Sequence, residues 1–210
     1  MANTKQTNSR KEDLQAYKRQ RILAAATTLF REKGLEGATM RAIAKEADYS
    51  TGAPYAYFQS KEEIYAELLA LSLGNLSSTV KEAAARSTSA TVKARDAFLA
   101  YYQYYFDLPE DLQLGLYLFS SGEIRRRGFS DETNRLLNGK LIALTGYMAN
   151  CLYDIEGVTP VIAQQETLDA ISHITGILLL HAAGRIDTFG SNPQEMIDRY
   201  LTQMLERIRT

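Results

Sequence analysis

Between Ile22 and Phe30 the apolar positions fall at Ile22, Ala25, Ala26, Leu29 and Phe30, spaced i, i+3, i+4, i+7 and i+8. That is the stripe of an amphipathic helix, and Gly34, directly after Lys33, predicts its C-terminal stop. Thr39 is a candidate cap for a second helix, whose inward face is Met40, Ile43, Ala44 and Ala47. Asp48-Tyr49-Ser50 reads as a turn, with Ser50 or Thr51 capping a third helix that ends near Phe58. Ser60-Lys61-Glu62-Glu63 has the form of a capping box and opens a fourth helix along Ile64, Leu68 and Leu71. Ile43, Ala47, Ala53 and Phe58 form the small core expected beneath these elements. Residues 1–12 carry no apolar periodicity and read as part of a disordered N-terminal arm over 1–15.

Further along, the predicted helices lengthen. Phe98, Tyr101, Tyr102 and Tyr105 make a stripe that Leu108-Pro109 breaks, and a shorter apolar segment, Leu112–Phe119, comes next. After Gly122 and the triplet Arg125-Arg126-Arg127, Ser130-Asp131-Glu132 starts a helix with Leu137, Leu141, Leu144, Met148 and Cys151 inward, stopping by Gly157. Thr159–Asp187 reads as one long helix with apolar residues on two faces. Leu168, Ile171, Thr175, Leu179, Ala182 and Ile186 make one; Ile174, Ile177, Leu178 and His181 make the other. Asn192-Pro193-Gln194-Glu195 combines an Asn cap, Pro at the first position and Glu at the third. It opens a last helix along Ile197, Tyr200, Leu201, Met204, Leu205 and Ile208. The fold class is all-α: an N-terminal three-helix helix-turn-helix domain (16–76) and a C-terminal helical bundle (77–210).

Composition changes this picture little. With 45% hydrophobic residues over 210 positions, the chain is an ordinary globular protein able to bury a core. The most apolar run, Ile174–Ala183, is far short of the roughly 20 residues that span a bilayer, and no signal peptide is visible, so a cytoplasmic protein is expected. One cysteine, Cys151, excludes an internal disulfide framework, and two histidines supply a transition-metal site poorly; neither metal nor cofactor is expected. Charge is more telling. Residues 1–60 hold ten Lys/Arg against six Asp/Glu, a net of +4 within a chain whose total is −1. A basic first quarter on an acidic body suits a module that touches phosphate.

The segment TMRAIAKEADYSTGAPYAYF, Thr39–Phe58, fits the duties of a helix-turn-helix, whose second helix enters the major groove. Thr39 places a hydroxyl and free backbone N–H groups at a helix start, where phosphate is favoured, and Arg41 lies beside it. Ser50, Thr51 and Gly52 are small enough for close approach to a duplex. Tyr55 and Tyr57 reach phosphate or a thymine methyl, and Lys61 holds a flanking phosphate. The run RILAAATTLFREKGLEGATMRAIAKEADYSTGAPYAYFQSKEEIYAELL resembles the DNA-binding domain of the TetR family of bacterial transcriptional regulators, over residues 16–76. It carries the Leu29-Phe30 and Gly34 end of the first helix, the I-A-x-x-A core, the S-x-G-x-x-Y-x-x-F recognition helix and the S-K-E-E continuation. Pro54 departs from the pattern, standing where the family has Leu, Ile or Phe. As the third or fourth residue of a helix it removes at most the first intrahelical bond.

The resemblance implies a homodimer built from the last two helices and a small organic effector bound in the C-terminal bundle. Candidates for the effector contacts are Tyr102, Tyr105, Tyr117 and His173, since buried tyrosine hydroxyls need partners. Core packing is the plainer reading of the tyrosine stripe, and a solvated helix end of Arg125–Arg127. The small residues Ala182, Ala183 and Gly184 permit a close approach of a second copy. No G-x-S-x-G, phosphate loop or metal-spaced His pair supports an enzyme. The function these features imply is a ligand-responsive repressor on a pseudo-palindromic double-stranded DNA operator, with no membrane partner. A transcriptional activator, or a regulator controlled by a protein partner, is the alternative.

Overall fold

A computed structural model describes residues 2–120 and 129–209, without the side chains of residues 2–9, 11 and 117–120. The described residues form helices and no strand: α1 (Ala2–Gly37), α2 (Met40–Glu46), a 3-10 turn (Ala53–Ala56), α3 (Lys61–Ala85), α4 (Ala90–Asp107), α5 (Pro109–Ser120), α6 (Asp131–Tyr153), α7 (Pro160–Ala182), α8 (Arg185–Thr188) and α9 (Pro193–Arg207). Arg125-Arg126-Arg127 and Gly122 lie outside the described residues. Two compact units emerge, one of residues 1–70 with 114–134, the other of 71–113 with 135–210. The first is therefore discontinuous in sequence, where periodicity predicts a contiguous domain over 16–76.

In the first unit Ile22, Ala26, Leu29 and Phe30 of α1 are buried with Leu35, Ile43, Ala44, Ala47 and Phe58. Gly34 stops the regular part of α1 with φ 66°, a value in the left-handed region that glycine adopts at little cost. At its other end α1 reaches back to Ala2, so the segment read as a disordered arm is helical. Nothing before Gly34 is a Gly or Pro, and Lys, Arg, Gln and Glu propagate a helix already nucleated by a packed stripe. Tyr65 of α3 joins Phe30 edge-on at 5.9 Å, stacks on Phe129 at 6.3 Å, and donates its hydroxyl to the Leu114 carbonyl. The Ser60 hydroxyl accepts from Glu63 N–H at 3.3 Å, while the Glu63 carboxylate accepts from Gln59 N–H at 2.6 Å. This is the reciprocal closure of a capping box, displaced by one residue on its carboxylate side. Leu71 does not join the inward face of α3; Leu69, Leu73 and Leu76 do. The buried row Tyr65, Leu69, Leu73 and Leu76 runs i, i+4, i+8 and i+11, and Leu71, six residues after Tyr65, falls outside it.

The second unit packs α4 against α7 and α9. Thr159 and Asn192 cap α7 and α9 by accepting from the N–H of Ile162 and Glu195, each with Pro in the first turn. Arg95 binds Asp198 at 2.6 Å between α4 and α9, and Arg207 binds Glu166 at 2.6 Å between α9 and α7. Leu137, Leu144, Met148 and Cys151 of α6 are buried as expected, but Leu141 is exposed. The predicted helix Thr159–Asp187 is two helices. Gly184, at φ 66°, breaks it between α7 and α8.

Candidate nucleic-acid interface

Between α2 and the 3-10 turn the chain reverses on a side-chain-bearing residue in the left-handed region, Asp48 at φ 59°. Tyr49 N–H reaches back to the Ala44 carbonyl at 2.8 Å and Asp48 N–H to the Lys45 carbonyl at 3.1 Å, the two bonds of a Schellman motif. Arg21 of α1 fixes this corner from outside: its guanidinium bonds the Asp48 carboxylate at 3.2 Å and lies 5.4 Å from the Tyr49 ring centroid. Both halves of the helix-turn-helix are thereby referred to α1.

The element after this corner differs from the expected third α-helix. Neither Ser50 nor Thr51 caps it; Gly52 is the N-cap residue, with no side-chain cap bond, and the element is a single 3-10 turn over Ala53–Ala56. The reason is Pro54. With no N–H at the second position the bond to the Ser50 carbonyl is missing, and Tyr55 N–H closes the tighter i→i−3 bond to Gly52 at 3.2 Å. Pro54 is also buried, whereas Ala53 is only half-buried. The ring thus fills the apolar site that Leu, Ile or Phe fills in the family pattern, while shortening the helix around it.

The candidate DNA-contacting residues lie on this unit in three groups. Thr39, Arg41, Tyr55 and Lys61 line one shallow groove together with Gln59, a residue that periodicity gives no reason to select. Thr39 caps α2, its hydroxyl accepting from Ala42 N–H at 3.1 Å, and Arg41 is exposed in the first turn of that helix. Tyr55 is 58% exposed, a large value for an aromatic residue. Ser50, Thr51 and Gly52 are exposed at the corner. Tyr57 faces a different depression, shared with Ala56 and with Glu12, Gln15, Ala16 and Arg19 of α1. Lys61 is not a wholly available cation: its ammonium donates to the Leu35 carbonyl at 2.9 Å, tying the start of α3 to the end of α1. Arg19 is likewise engaged, bound to Glu67 through both terminal guanidinium nitrogens and lying 4.7 Å from the Phe58 ring centroid.

The effector candidates do not come together. Tyr102 and Tyr105 are buried on α4, in the second unit. The side chain of Tyr117 lies outside the described residues. His173 is exposed on α7 and stacks face to face on Tyr200 of α9 at 4.0 Å, away from the tyrosine row. Partial burial there, then the nearby Arg199 charge, lowers its pKa. The histidine that does join the aromatic row is His181, stacked on Phe106 at 5.0 Å, with Phe106 itself 5.4 Å from Tyr102. Its Nδ1 is buried without a hydrogen-bond partner. Eight residues separate His173 from His181, about 80° around a helix, so the two rings meet different neighbours. Burial pushes the hydroxyls of Tyr101 and Tyr102 up to about 12 and raises Tyr105 as well. Tyr104 is raised by burial and by its bond to the Asp111 carboxylate. All four remain neutral phenols at any ordinary pH.

Residues 22–68 match the family model described as bacterial regulatory proteins, tetR family. The chain is 42% identical over 48 residues to an uncharacterized HTH-type transcriptional regulator, YfiR, of Bacillus subtilis, a stretch covering 23% of each chain. It is 32% identical over 88 residues to the HTH-type transcriptional repressor KstR2 of Mycolicibacterium smegmatis, covering 42% of this chain and 43% of that one. The matched stretches thus span less than half the length of these curated relatives. A TetR family transcriptional regulator of Thermus thermophilus, PfmR, shares the fold over 88% of this chain and 94% of its own, with a TM-score of 0.68 at 20% identity. Residues 22–68 thus carry the N-terminal module of the tetR family of bacterial regulatory proteins, and the chain as a whole shares its all-helical fold with a solved member of that family.

Proposed function

We propose that this protein is a ligand-responsive transcriptional regulator, a repressor, that binds a pseudo-palindromic operator as a homodimer and leaves it when a small organic effector binds. The observation that carries the DNA-binding part is the exposed groove of Thr39, Arg41, Tyr55, Gln59 and Lys61 beside a turn of small residues. A helix start with free N–H groups, one exposed guanidinium and protruding tyrosines is a surface made for phosphates and groove edges. Repression is supported by the relative in Mycolicibacterium smegmatis, a transcriptional repressor.

The dimer is supported by one face of α7. Val161, Leu168 and Leu179 are exposed there, although Ile174, Ile177 and Leu178 elsewhere on the helix are buried. A helix apolar on two sides needs cover on both. A two-fold arrangement sets the recognition turns in successive major grooves, about 34 Å apart. Effector binding is assigned to the second unit, with Tyr102, Tyr105 and His181 as contacts: the row is aromatic, and His181 offers an unpartnered ring nitrogen. A gel shift with the DNA upstream of the protein's own gene tests the assignment. Retarded bands that a small-molecule library member abolishes are the expected result; no retardation on any duplex selected from a random pool would end the proposal. The same library, screened by thermal shift, identifies the effector by a raised melting temperature.

A further inference from the structure

A dimer built from the last two long helices needs an apolar face on both α7 and α9, and α9 has none. Among the described residues, every exposed position of α9, from Gln194 to Arg207, is polar or charged. The apolar surface lies across α7 from it. α9 meets α7 at Glu166 and His173, seven residues apart on one face; Gln164 and Leu168, each two positions from Glu166, face the opposite side and line an open groove against α6. The groove measures about 450 Å³. Ala149 and Ala163 line it and are buried, while Ile142, Tyr153 and Leu168 stand at 69%, 52% and 60% exposure. No exposed position of α6 from Leu136 to Tyr153 is charged, and among the exposed positions of α7 Asp169 is the one Asp, Glu, Lys or Arg. Gly146 of α6, in the groove, and Gly176 of α7 have no described atom within 4 Å of where a Cβ would stand. A glycine inside a helix weakens it, and no contact within the protomer uses the room these two leave.

We propose that the two-fold interface is formed by α6 and α7, with the groove between them closed by a second copy of the chain, and that α9 stays outside it. The inference rests on the dimeric reading above and adds which second helix takes part. Size favours a second copy. At 1.5 Å per residue α6 from Leu136 and the whole of α7 run about 27 and 34 Å. Side by side, at about 10 Å of diameter each, they present a face of roughly 600 Å² in flat projection. That is the footprint of the roughly 800 Å² of accessible surface each partner gives a standard interface. Composition agrees, because interface cores are depleted of charge and an apolar patch of this extent is rare on a surface that stays in water. A two-fold partner also presents the same surface back. The ridge of Ile142, Tyr153 and Leu168 on one copy therefore meets, on the other, a groove and two bare glycines to fill.

The test uses the full chain and two variants, Ile142→Glu on α6 and Gln203→Glu on α9, both at positions exposed in the protomer. Sedimentation velocity from nanomolar to micromolar concentration gives the dimer dissociation constant, and circular dichroism checks that helical content is unchanged. A carboxylate desolvated without a partner on each side of the interface should raise that constant about hundredfold or more for Ile142→Glu. Gln203→Glu should match the wild type. A second readout does not depend on charge. Maleimide labelling of Ile142→Cys should slow at concentrations where the protein is dimeric and that of Gln203→Cys should not, Cys151 being buried. Wild-type dimerisation by Ile142→Glu would overturn the inference. So would equal labelling of Ile142→Cys in monomer and dimer, which would leave the groove to a different partner. Loss of the dimer in Gln203→Glu alone would overturn it in favour of an interface on the last two helices. A wild type that stays monomeric throughout would overturn the dimer itself, and the inference with it.

Discussion

Asp48 holds the corner of the helix-turn-helix in a backbone conformation that costs most residues roughly 1–2 kcal/mol and that Gly, and to a lesser degree Asp and Asn, tolerate. Asp48→Ala should therefore lower stability by about 1 kcal/mol, most of it backbone strain, since the exposed pair with Arg21 contributes little. Asp48→Gly should leave stability equal or higher, and a urea titration of the two variants separates strain from lost pairing. Six residues on, Pro54 fills a core position and withholds a hydrogen bond at once. Pro54→Leu keeps the apolar contact and restores the N–H, so the 3-10 turn should relax toward an α-helix. The expected consequence is a changed operator sequence in duplex selection, with the salt dependence of binding unaltered. The sequence displays Pro54 plainly. It does not display which way a proline in the first turn resolves, because that depends on whether burial of its ring outweighs the lost bond.

Among the elements, the strongest start signals are the most legible. Thr39, Ser60 and Asn192 each accept the backbone N–H that their spacing implies, since capping is local chemistry. Ser60→Ala should cost about 1 kcal/mol in thermal or urea unfolding, the usual worth of a cap. Face assignments are less legible where two apolar sides compete. Leu71 and Leu141 point outward although their rows predict an inward face, and the long apolar helix ends at Ala182 because Gly184 turns left-handed. The tyrosine row of α4 carries its own prediction. Tyr101 and Tyr102 hold their protons to about 12 in the folded protein, above the ordinary value near 10 of the unfolded chain. Between those limits the folded state binds more protons than the unfolded one, so stability falls as pH rises from about 10 through 12. Tyrosinate absorbance from this row should appear together with loss of helical circular dichroism, not before it.

For the molecule as a whole, the helical fold and the DNA-facing module are legible because they repeat a local pattern at fixed spacing. The proposed effector contacts are not: which ring meets which is decided by helix packing, and it sets His181 on Phe106 of the α4 row and His173 on Tyr200 of α9. A Leu168→Glu substitution belongs to this scale. Leu168 is 60% exposed on α7, so a charge there leaves the protomer's own core intact but disfavours a partner surface. Light scattering at micromolar concentration should give a dimer for the wild type and a monomer for the variant; a monomeric wild type rules out the two-fold arrangement. The claim on which everything else depends is that the corner and the recognition turn hold the DNA. Anisotropy titration of a duplex enriched from a random pool by the wild-type protein, with wild type, Thr51→Ala and Tyr57→Ala, tests it most directly. Affinity for each variant should drop by about tenfold or more, at about 1–3 kcal/mol per lost contact, with helical content unchanged. Wild-type affinity in both variants would contradict it.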